Sequence, residues 1–385
     1  MKIKTSKLVQ SIYVWTVVIY IALRVIASST LGLGSIVSFY NNIAIILLAI
    51  CLLANRKMTI KRLAISLVIT AIVALVCYKV SDWPFFISYL FILSFPSDLS
   101  VEKLSKYIFL TFLSISGGVV ILSLVGVIDD AMIYQHGTMR HSFGFTSPNA
   151  LASTTAVGLL AYIYYKYKNW KTKTTLFSIT LAVVVYYFTS SRLAFAISIL
   201  STIIVHLSKL DCFHRFRKLI LWTTKFAVPT CGCLCIWAMI HFASSQSGLY
   251  NLLNVITTYR LNWMIKYYKE YGIQLLGKPI VTVSRSQAIA QGIQWSGVDN
   301  AYALFAIKYG LIFFISFLVL YFLLGKKIER EKDIPAAICI IMIAIIGITE
   351  NYLCITGYNI SLFFIAKTLT ELRKNRTNKE PKSNE

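Results

Sequence analysis

Long apolar segments alternate with short polar connections along almost the whole chain. Each apolar segment approaches the length at which a helix crosses the hydrocarbon core of a bilayer, so the pattern predicts about twelve transmembrane helices. Their predicted limits are residues 9–26, 36–53, 63–80, 83–95, 107–128, 150–165, 174–188, 193–207, 226–242, 301–324, 334–348 and 352–365.

Lysine and arginine cluster in every second connection, counted from the amino terminus. Because cytoplasmic connections are rich in these residues, the alternation predicts a cytoplasmic amino terminus. The basic tail, residues 367–385, is then cytoplasmic too. The basic connections contain Arg56, Lys57, Lys61 and Arg62; Lys103 and Lys106; Lys166, Lys168, Lys171 and Lys173; Lys209, Arg215, Arg217 and Lys218; and Lys326, Lys327, Arg330 and Lys332.

Composition supports a membrane protein and excludes a soluble one. Of the 385 residues, 57% are hydrophobic and 14% charged, and the mean hydropathy is +0.69, whereas a soluble domain needs more charge on its surface. The net charge of +23 follows from topology and from attraction to an anionic leaflet, so no nucleic-acid partner is predicted. The three cysteines Cys231, Cys233 and Cys235 spread around a helix, which does not match a thiolate metal site.

Two external connections are long enough to fold, residues 129–149 and 243–300. In the second, residues 249–268 show the periodicity of an amphipathic helix. Arg260 lies on its apolar side, where a guanidinium is costly to desolvate unless it meets an anion or a carboxylate. Arg260 is therefore the leading functional candidate. The alternative is that its methylenes cover apolar surface while the charge reaches the headgroups.

The first external connection ends in a basic pair followed by a helix-start signal. Ser147 can cap a helix that begins at Pro148, and Arg140 and His141 precede it. Helix amino termini attract anions, so this segment suits a phosphate. It can equally be a polar turn between two spans.

Two further positions carry candidate chemistry. Arg192 lies between two spans, where it can bind phosphate or anchor to headgroups. Asp299 precedes the tenth predicted span, where it can be a helix cap or a general base. Glu350, in the last external turn, is expected to form a salt bridge with an arginine.

Taken in order, these motifs resemble the Wzy-type bacterial surface-polysaccharide polymerases, which are related to the O-antigen ligases. The family's R-x-S-x-G-F-x-x-P-N element is similar to residues 140–149, and its S-R element to Ser191 and Arg192. Its R-x-x-W element matches 260–263, and its H/D-N-x-Y element with a following Y/L-G-L/I turn matches 299–302 and 309–311. O-antigen ligases usually have histidine where this chain has Asp299, so a histidine base is not carried over to that position.

The resemblance implies a GT-C-like, all-α polytopic membrane enzyme with both termini cytoplasmic. Its expected reaction is glycosyl transfer on the extracytoplasmic side of the bacterial plasma membrane, in which undecaprenyl-pyrophosphate-linked repeat units are joined into a polysaccharide. A flippase and a chain-length regulator are the further partners expected from such a pathway. An O-antigen-ligase-like transfer and a lipid-linked oligosaccharide flippase or transporter remain alternatives.

The residue roles implied by the resemblance are hypotheses. Arg140, Arg192 and Arg260 would bind pyrophosphate, and Asp299 or His141 would orient or deprotonate the acceptor hydroxyl. Asn149, Asn300, Tyr302 and Glu350 would position substrate. No cofactor is expected; Asp129 and Asp130 could hold magnesium, but adjacent carboxylates usually point apart, which favours a metal-free mechanism.

The transporter alternative rests on charges inside predicted spans. Arg24 and Lys308 are the clearest of these, and such charges often mark transport pathways. They are too few to predict a relay. A large external loop with an inward-facing arginine fits a transferase better, and a structural scaffold accounts for neither arginine placement nor motif order.

Overall fold

The computed structural model describes residues 2–54, 60–135, 137–245, 247–283 and 291–377. The helices, in chain order, are α1 (Lys2–Ala27), α2 (Gly34–Leu53), α3 (Ile60–Lys79), α4 (Trp83–Leu93), α5 (Val101–Leu124), α6 (Pro148–Lys166), α7 (Thr172–Thr189), α8 (Arg192–Ser208), α9 (His214–Ser244), α10 (Gly248–Ile256), α11 (Arg260–Tyr271), α12 (Ala301–Lys308), α13 (Leu311–Glu331), α14 (Ile334–Ile346) and α15 (Ser361–Thr377). Strands β1 (Ile133–Gln135) and β2 (Thr138–Arg140) form an antiparallel hairpin in the first external connection.

The structure supports a helical, membrane-embedded protein. Within the described residues, five helical segments are long and apolar enough to cross a bilayer, and shorter apolar helices accompany them. The five are Lys7–Ala27, Gly34–Leu53, Val101–Leu124, Asp211–Ser244 and Leu311–Glu331. The number of spans, which we predicted as about twelve, and their orientation in the membrane stay predictions.

Two of the predicted spans are not single helices. The span predicted at 301–324 is interrupted between α12 and α13 at Gly310, where φ is +95°. The external loop reaches the chain at this point, since Leu311 N–H donates to the carbonyl of Gln274 at 2.8 Å. A Cβ on Gly310 would collide with the backbone nitrogen of Gly277. In the span predicted at 352–365, helix begins only at Ser361.

The amphipathic helix predicted at 249–268 is also divided. Thr258 and Tyr259 have φ values of +52° and +63°, which no residue of a right-handed helix adopts. Helices α10 and α11 therefore meet at a sharp turn. Arg260 begins α11 instead of lying in the middle of one long helix, and its side chain is directed by that turn.

The end of α1 is joined to the loop that precedes α6. Thr30 N–H donates to the carbonyl of Gly144 and Thr146 N–H to the carbonyl of Ser28, each at 2.8 Å. Ser147 caps α6, its hydroxyl accepting the Ala150 N–H at 3.2 Å, as the sequence predicted. The carboxyl end of α1 and the amino end of α6 therefore lie together, at one end of the helix bundle.

The opposite end of the bundle carries basic residues paired with acids. Lys168 pairs with Glu102 at 2.5 Å, Lys225 pairs with Glu329 at 2.8 Å, and Lys327 pairs with Glu371. Helix α1 begins there and α15 ends there. Both ends of the described chain thus lie away from the α1–α6 junction.

Candidate functional site

A cavity of about 630 Å³ opens at the end of the bundle where α1 meets α6. Its walls come from α1, α4, α6, α11, α12, the segments 280–283 and 295–299, and the turns after α14. Among the described residues, its charged lining residues are three cations, Arg24, Arg260 and Lys308, and three acids, Asp82, Asp299 and Glu350.

Arg260 lies between two carboxylates. Its Nη2 is 3.4 Å from Glu350 Oε1, and its Nε is 3.7 Å from Asp299 Oδ2. Nη1 donates to Thr258 Oγ1 at 2.5 Å, whereas Nε is buried with no hydrogen-bond partner. The salt bridge that the sequence predicted between Glu350 and an arginine is confirmed. One guanidinium therefore contacts two carboxylates at this wall of the cavity.

A second charged group closes the cavity near α4 and α12. Asp82 Oδ2 accepts from Lys308 Nζ at 2.5 Å and from the Tyr309 hydroxyl at 2.6 Å. Its Oδ1 accepts the Phe85 N–H at 3.1 Å and so caps α4. Lys308 and Asp82 are only 17% and 18% exposed. The pair is charge-neutral and connects the first third of the chain to α12.

Arg24 contributes the third cation. Its Nε and Nη2 donate to the Tyr20 hydroxyl at 3.3 and 3.2 Å, and its guanidinium lies over the Tyr20 ring. Tyr20 is 1% exposed. Across the described part of the chain, Arg24 forms no ion pair with a carboxylate.

The 140–149 motif is organised around Arg140 and Asn149. Arg140 donates to Asn149 Oδ1 at 2.6 Å, to the Thr189 carbonyl at 2.7 Å and to Gln135 Oε1 at 2.6 Å. Asn149 lines the cavity. Arg140 does not line the cavity itself, but it binds the side chain of Asn149, which does. Arg140 therefore supports the start of α6.

His141 lies in the same loop but is turned toward Asp130. Its Nδ1 is 2.6 Å from Asp130 Oδ2, and its ring stacks on Phe143. Asp130 Oδ1 accepts the N–H groups of Ser142 and Phe143, at 2.8 and 2.7 Å. These bonds hold the turn in which Phe143 has a φ of +45°. His141 is therefore built into the loop, outside the cavity wall.

Burial tends to raise the pKa of Asp130, but the hydrogen bonds from His141, Phe143 and Ser142 outweigh it and lower the pKa. Because the folded-state pKa is below the unfolded one, the carboxylate stabilises the fold above about pH 4 and loses this effect as pH falls through the lowered value. We expect Asp130→Asn to cost about 1–3 kcal/mol at neutral pH. Thermal unfolding at a series of pH values checks this: the difference from the unmodified protein should shrink in acid, and a constant difference would contradict it.

Of the remaining predicted site residues, Arg192 lies away from the cavity, and Asn300 and Tyr302 form hydrogen bonds that hold the fold. Arg192 is exposed at the start of α8 and away from the cavity. Asn300, rather than Asp299, caps α12, accepting the Ala303 N–H at 2.8 Å, and it donates to the Ile348 carbonyl at 2.7 Å. The buried Tyr302 hydroxyl donates to the Ala344 carbonyl at 2.9 Å. Asn300 and Tyr302 thus hold α12 against α14, beside Asp299.

The structure brings Arg260, Asp299, Glu350 and Asn149 to one cavity, and leaves Arg140, His141 and Arg192 outside its lining. Searches for related proteins found no match to a family model, to a curated protein or to a solved structure. Within the described residues, no group of three or more histidine, cysteine, aspartate or glutamate side chains is close enough to hold a metal ion.

The sequence motifs did not assign Arg24, Asp82 or Lys308 to the site. A signal for two of them was present, because Arg24 and Lys308 are charged residues inside predicted spans, where charge is costly and commonly functional. Nothing in the sequence pattern pointed to Asp82, which lies at the start of α4 and resembles any other helix cap.

A second cavity, of about 320 Å³, lies between α5, α6 and α7 and is almost wholly apolar. Thr154 lines both cavities. Phe112, Gly117, Leu159 and Val184 are among the residues of its wall.

Proposed function

We propose that the protein is a polysaccharide polymerase of the Wzy type, which transfers a glycan from an undecaprenyl-pyrophosphate carrier to another lipid-linked repeat unit. The observation that carries this proposal is that one cavity holds both cationic and carboxylate side chains, at different walls. A cation lies at the α1 wall, and a pair of carboxylates shares one arginine at the α11 wall. Glycosyl transfer from a diphosphate needs both kinds of group, at different positions.

In the proposed reaction, the acceptor hydroxyl oxygen forms a bond to the anomeric carbon of the donor glycan. The bond from that carbon to the diphosphate oxygen breaks, and the electron pair leaves with undecaprenyl pyrophosphate. Asp299 takes the hydroxyl proton as general base. Arg260 orients Asp299 and Glu350 toward the acceptor. The negative charge that grows on the leaving group is stabilised by fixed cations of the cavity.

The apolar cavity suits the isoprenoid chain of the carrier. Its shared wall at Thr154 would let the diphosphate enter the charged cavity while the chain stayed among hydrophobic side chains. The active site would face the extracytoplasmic side of a bacterial plasma membrane, since the paired basic end of the bundle fits the cytoplasmic side. Proteins that flip the carrier and limit chain length would be its pathway partners.

Filling the apolar cavity is expected to slow transfer from long-chain donors. Gly117 lines this cavity and has open space at its Cβ position, so Gly117→Leu should reduce elongation with an undecaprenyl donor by about tenfold. A donor with a short isoprenoid chain should be affected much less. The two initial rates, measured in detergent, give this ratio.

Gly118→Leu is the matched control. Gly118 adjoins Gly117 in α5 and also has open space at its Cβ position, but it is not part of the cavity wall. Both substitutions raise helix propensity equally. If the two variants slow transfer to the same extent, the apolar cavity is not the chain site.

The direct test of the proposed function is reconstitution of the full-length protein in liposomes with lipid-linked repeat units. A polymerase gives a ladder of products that differ by one unit. A single transfer to a different acceptor would indicate a ligase, and a change in sidedness without new glycosidic bonds would indicate a flippase. Either of these results would refute the proposal that the protein is a polymerase.

A further inference from the structure

The three cations that line the main cavity in the described part of the chain differ in their partners. Lys308 pairs with Asp82, and Arg260 is shared by Asp299 and Glu350. Arg24 has the neutral hydroxyl of Tyr20 as its hydrogen-bond partner, and no carboxylate pairs with it in the described part of the chain. Among the described residues, Arg24 is therefore the cavity cation that no carboxylate pairs with, and it lies far along the sequence from the motif arginines.

We propose that Arg24 is the principal ligand of the substrate diphosphate, an inference that rests on the proposed function and revises the expected roles of Arg140, Arg192 and Arg260. A diphosphate at Arg260 would compete with two carboxylates for the guanidinium, whereas Arg24 pairs with no carboxylate of the described residues and can offer its charge to an anion. The arginine that the motifs favour is thus the poorer anion site, and Arg24 the better one.

The guanidinium of Arg24 is held in a fixed orientation. Nε and Nη2 both donate to the same Tyr20 oxygen, which uses one edge of the planar group. The other edge, formed by Nη1 and Nη2, makes no further hydrogen bond to the described residues. This edge can bind two phosphate oxygens at once. Because the orientation is already fixed, little side-chain entropy is lost when an anion binds.

The surroundings of Arg24 provide further polar groups for a bound anion. The pairing of Ser28 and Thr30 with Thr146 and Gly144 joins the end of α1 to the start of α6. Ser28 and Ser153 line the cavity together with Arg24. The Ser28 hydroxyl already donates to the Val25 carbonyl at 2.6 Å, so the Ser153 hydroxyl is the one that can donate to a diphosphate oxygen. Thr154, which lines the apolar cavity, directly follows Ser153 in α6. The carrier chain and its diphosphate would therefore contact adjacent residues of this helix.

A structural explanation for Arg24 makes different predictions. The residue lies in the last turn of α1, where a cation interacts favourably with the helix dipole and can reach the headgroups. In that case lysine would replace arginine without loss, and substitution would change thermal stability but not anion affinity. Ligand affinity, rather than stability, therefore separates the two explanations.

The test uses the purified full-length protein in detergent and two probes, inorganic pyrophosphate and farnesyl diphosphate. Both are titrated by calorimetry into the unmodified protein and into Arg24→Gln, Arg24→Lys and Tyr20→Phe. We expect Arg24→Gln to weaken the binding of both probes by about tenfold or more. Arg24→Lys should lose part of the affinity because it keeps the charge without the fork. Tyr20→Phe should show an intermediate loss, since it frees the guanidinium from its orientation.

Arg215→Gln is the matched control, because Arg215 is exposed at the opposite end of the bundle and its loss changes the net charge equally. Equal affinities in Arg24→Gln and Arg215→Gln would overturn the inference, as would full affinity in Arg24→Lys. The proposed function is tested separately: a protein that binds diphosphate through Arg24 but never elongates glycan refutes the polymerase alone. Full elongation by Arg24→Gln at limiting donor refutes the role of Arg24 alone.

Discussion

Asp299→Asn is expected to reduce the rate of glycan elongation by about 10²- to 10⁴-fold, the range that a positioned general base contributes. The amide keeps the shape of the side chain but cannot take the acceptor proton. Asp299 lies in the cavity wall, 3.7 Å from Arg260 Nε, and its carboxylate is 30% exposed. The measurement is the initial rate of ladder formation in liposomes at saturating donor and acceptor.

Glu350→Gln is the companion variant for Asp299→Asn. Glu350 shares Arg260 but is less exposed, at 19%, so we assign it to positioning the guanidinium rather than to proton transfer. Its loss should lower the rate by about tenfold. Both variants should bind farnesyl diphosphate as well as the unmodified protein does, because neither removes a cation. If Asp299→Asn elongates glycan at a rate within about threefold of normal, Asp299 is not the general base.

Lys308→Met is expected to give the largest loss of stability. It removes the ion-pair partner of Asp82 and leaves a carboxylate that is only 18% exposed with the Tyr309 hydroxyl and the Phe85 N–H as donors. Removing one partner of a fully buried ion pair costs about 3–5 kcal/mol. Because the pair retains some contact with solvent, we expect about 2–3 kcal/mol of destabilisation. Chemical unfolding in detergent, followed by tryptophan fluorescence, measures this free energy.

The double variant Asp82→Asn/Lys308→Met separates charge from packing. If the cost of Lys308→Met comes from the isolated carboxylate, converting Asp82 to an amide should restore a large part of the stability, while the cap on α4 remains. A double variant as unstable as the sum of the two single variants would contradict this explanation. It would indicate that Lys308 stabilises the protein through its methylenes instead.

Part of the candidate site follows from the sequence. Arg260 was identified because a guanidinium on an apolar helix face is costly without an anionic partner, and the structure supplies Glu350 and Asp299 as such partners. The spacing along the chain could not show which acids these were, since Arg260 and Glu350 are 90 positions apart. The prediction of one helix at 249–268 was wrong because periodicity does not detect a two-residue turn at Thr258 and Tyr259.

Motif similarity also has a limit in this chain. Arg140, Arg192 and Arg260 occupy comparable motifs, yet the structure places one behind Asn149, one on the exposed start of α8 and one in the cavity. A short motif specifies local residue types, whereas cavity lining depends on how distant helices pack.

The sequence by itself determined that this is a helical membrane protein, where most of its apolar segments lie, and which side chains are costly enough to require a partner. These properties depend on hydrophobicity and charge over one or two dozen consecutive residues. Only the tertiary structure decided that Arg24 and α6 line the same cavity, that Lys308 meets Asp82 across 226 positions, and that Arg260 lies between Asp299 and Glu350. Such pairings depend on the folded path of the chain, because charge compensation is set by distances in space rather than along the sequence.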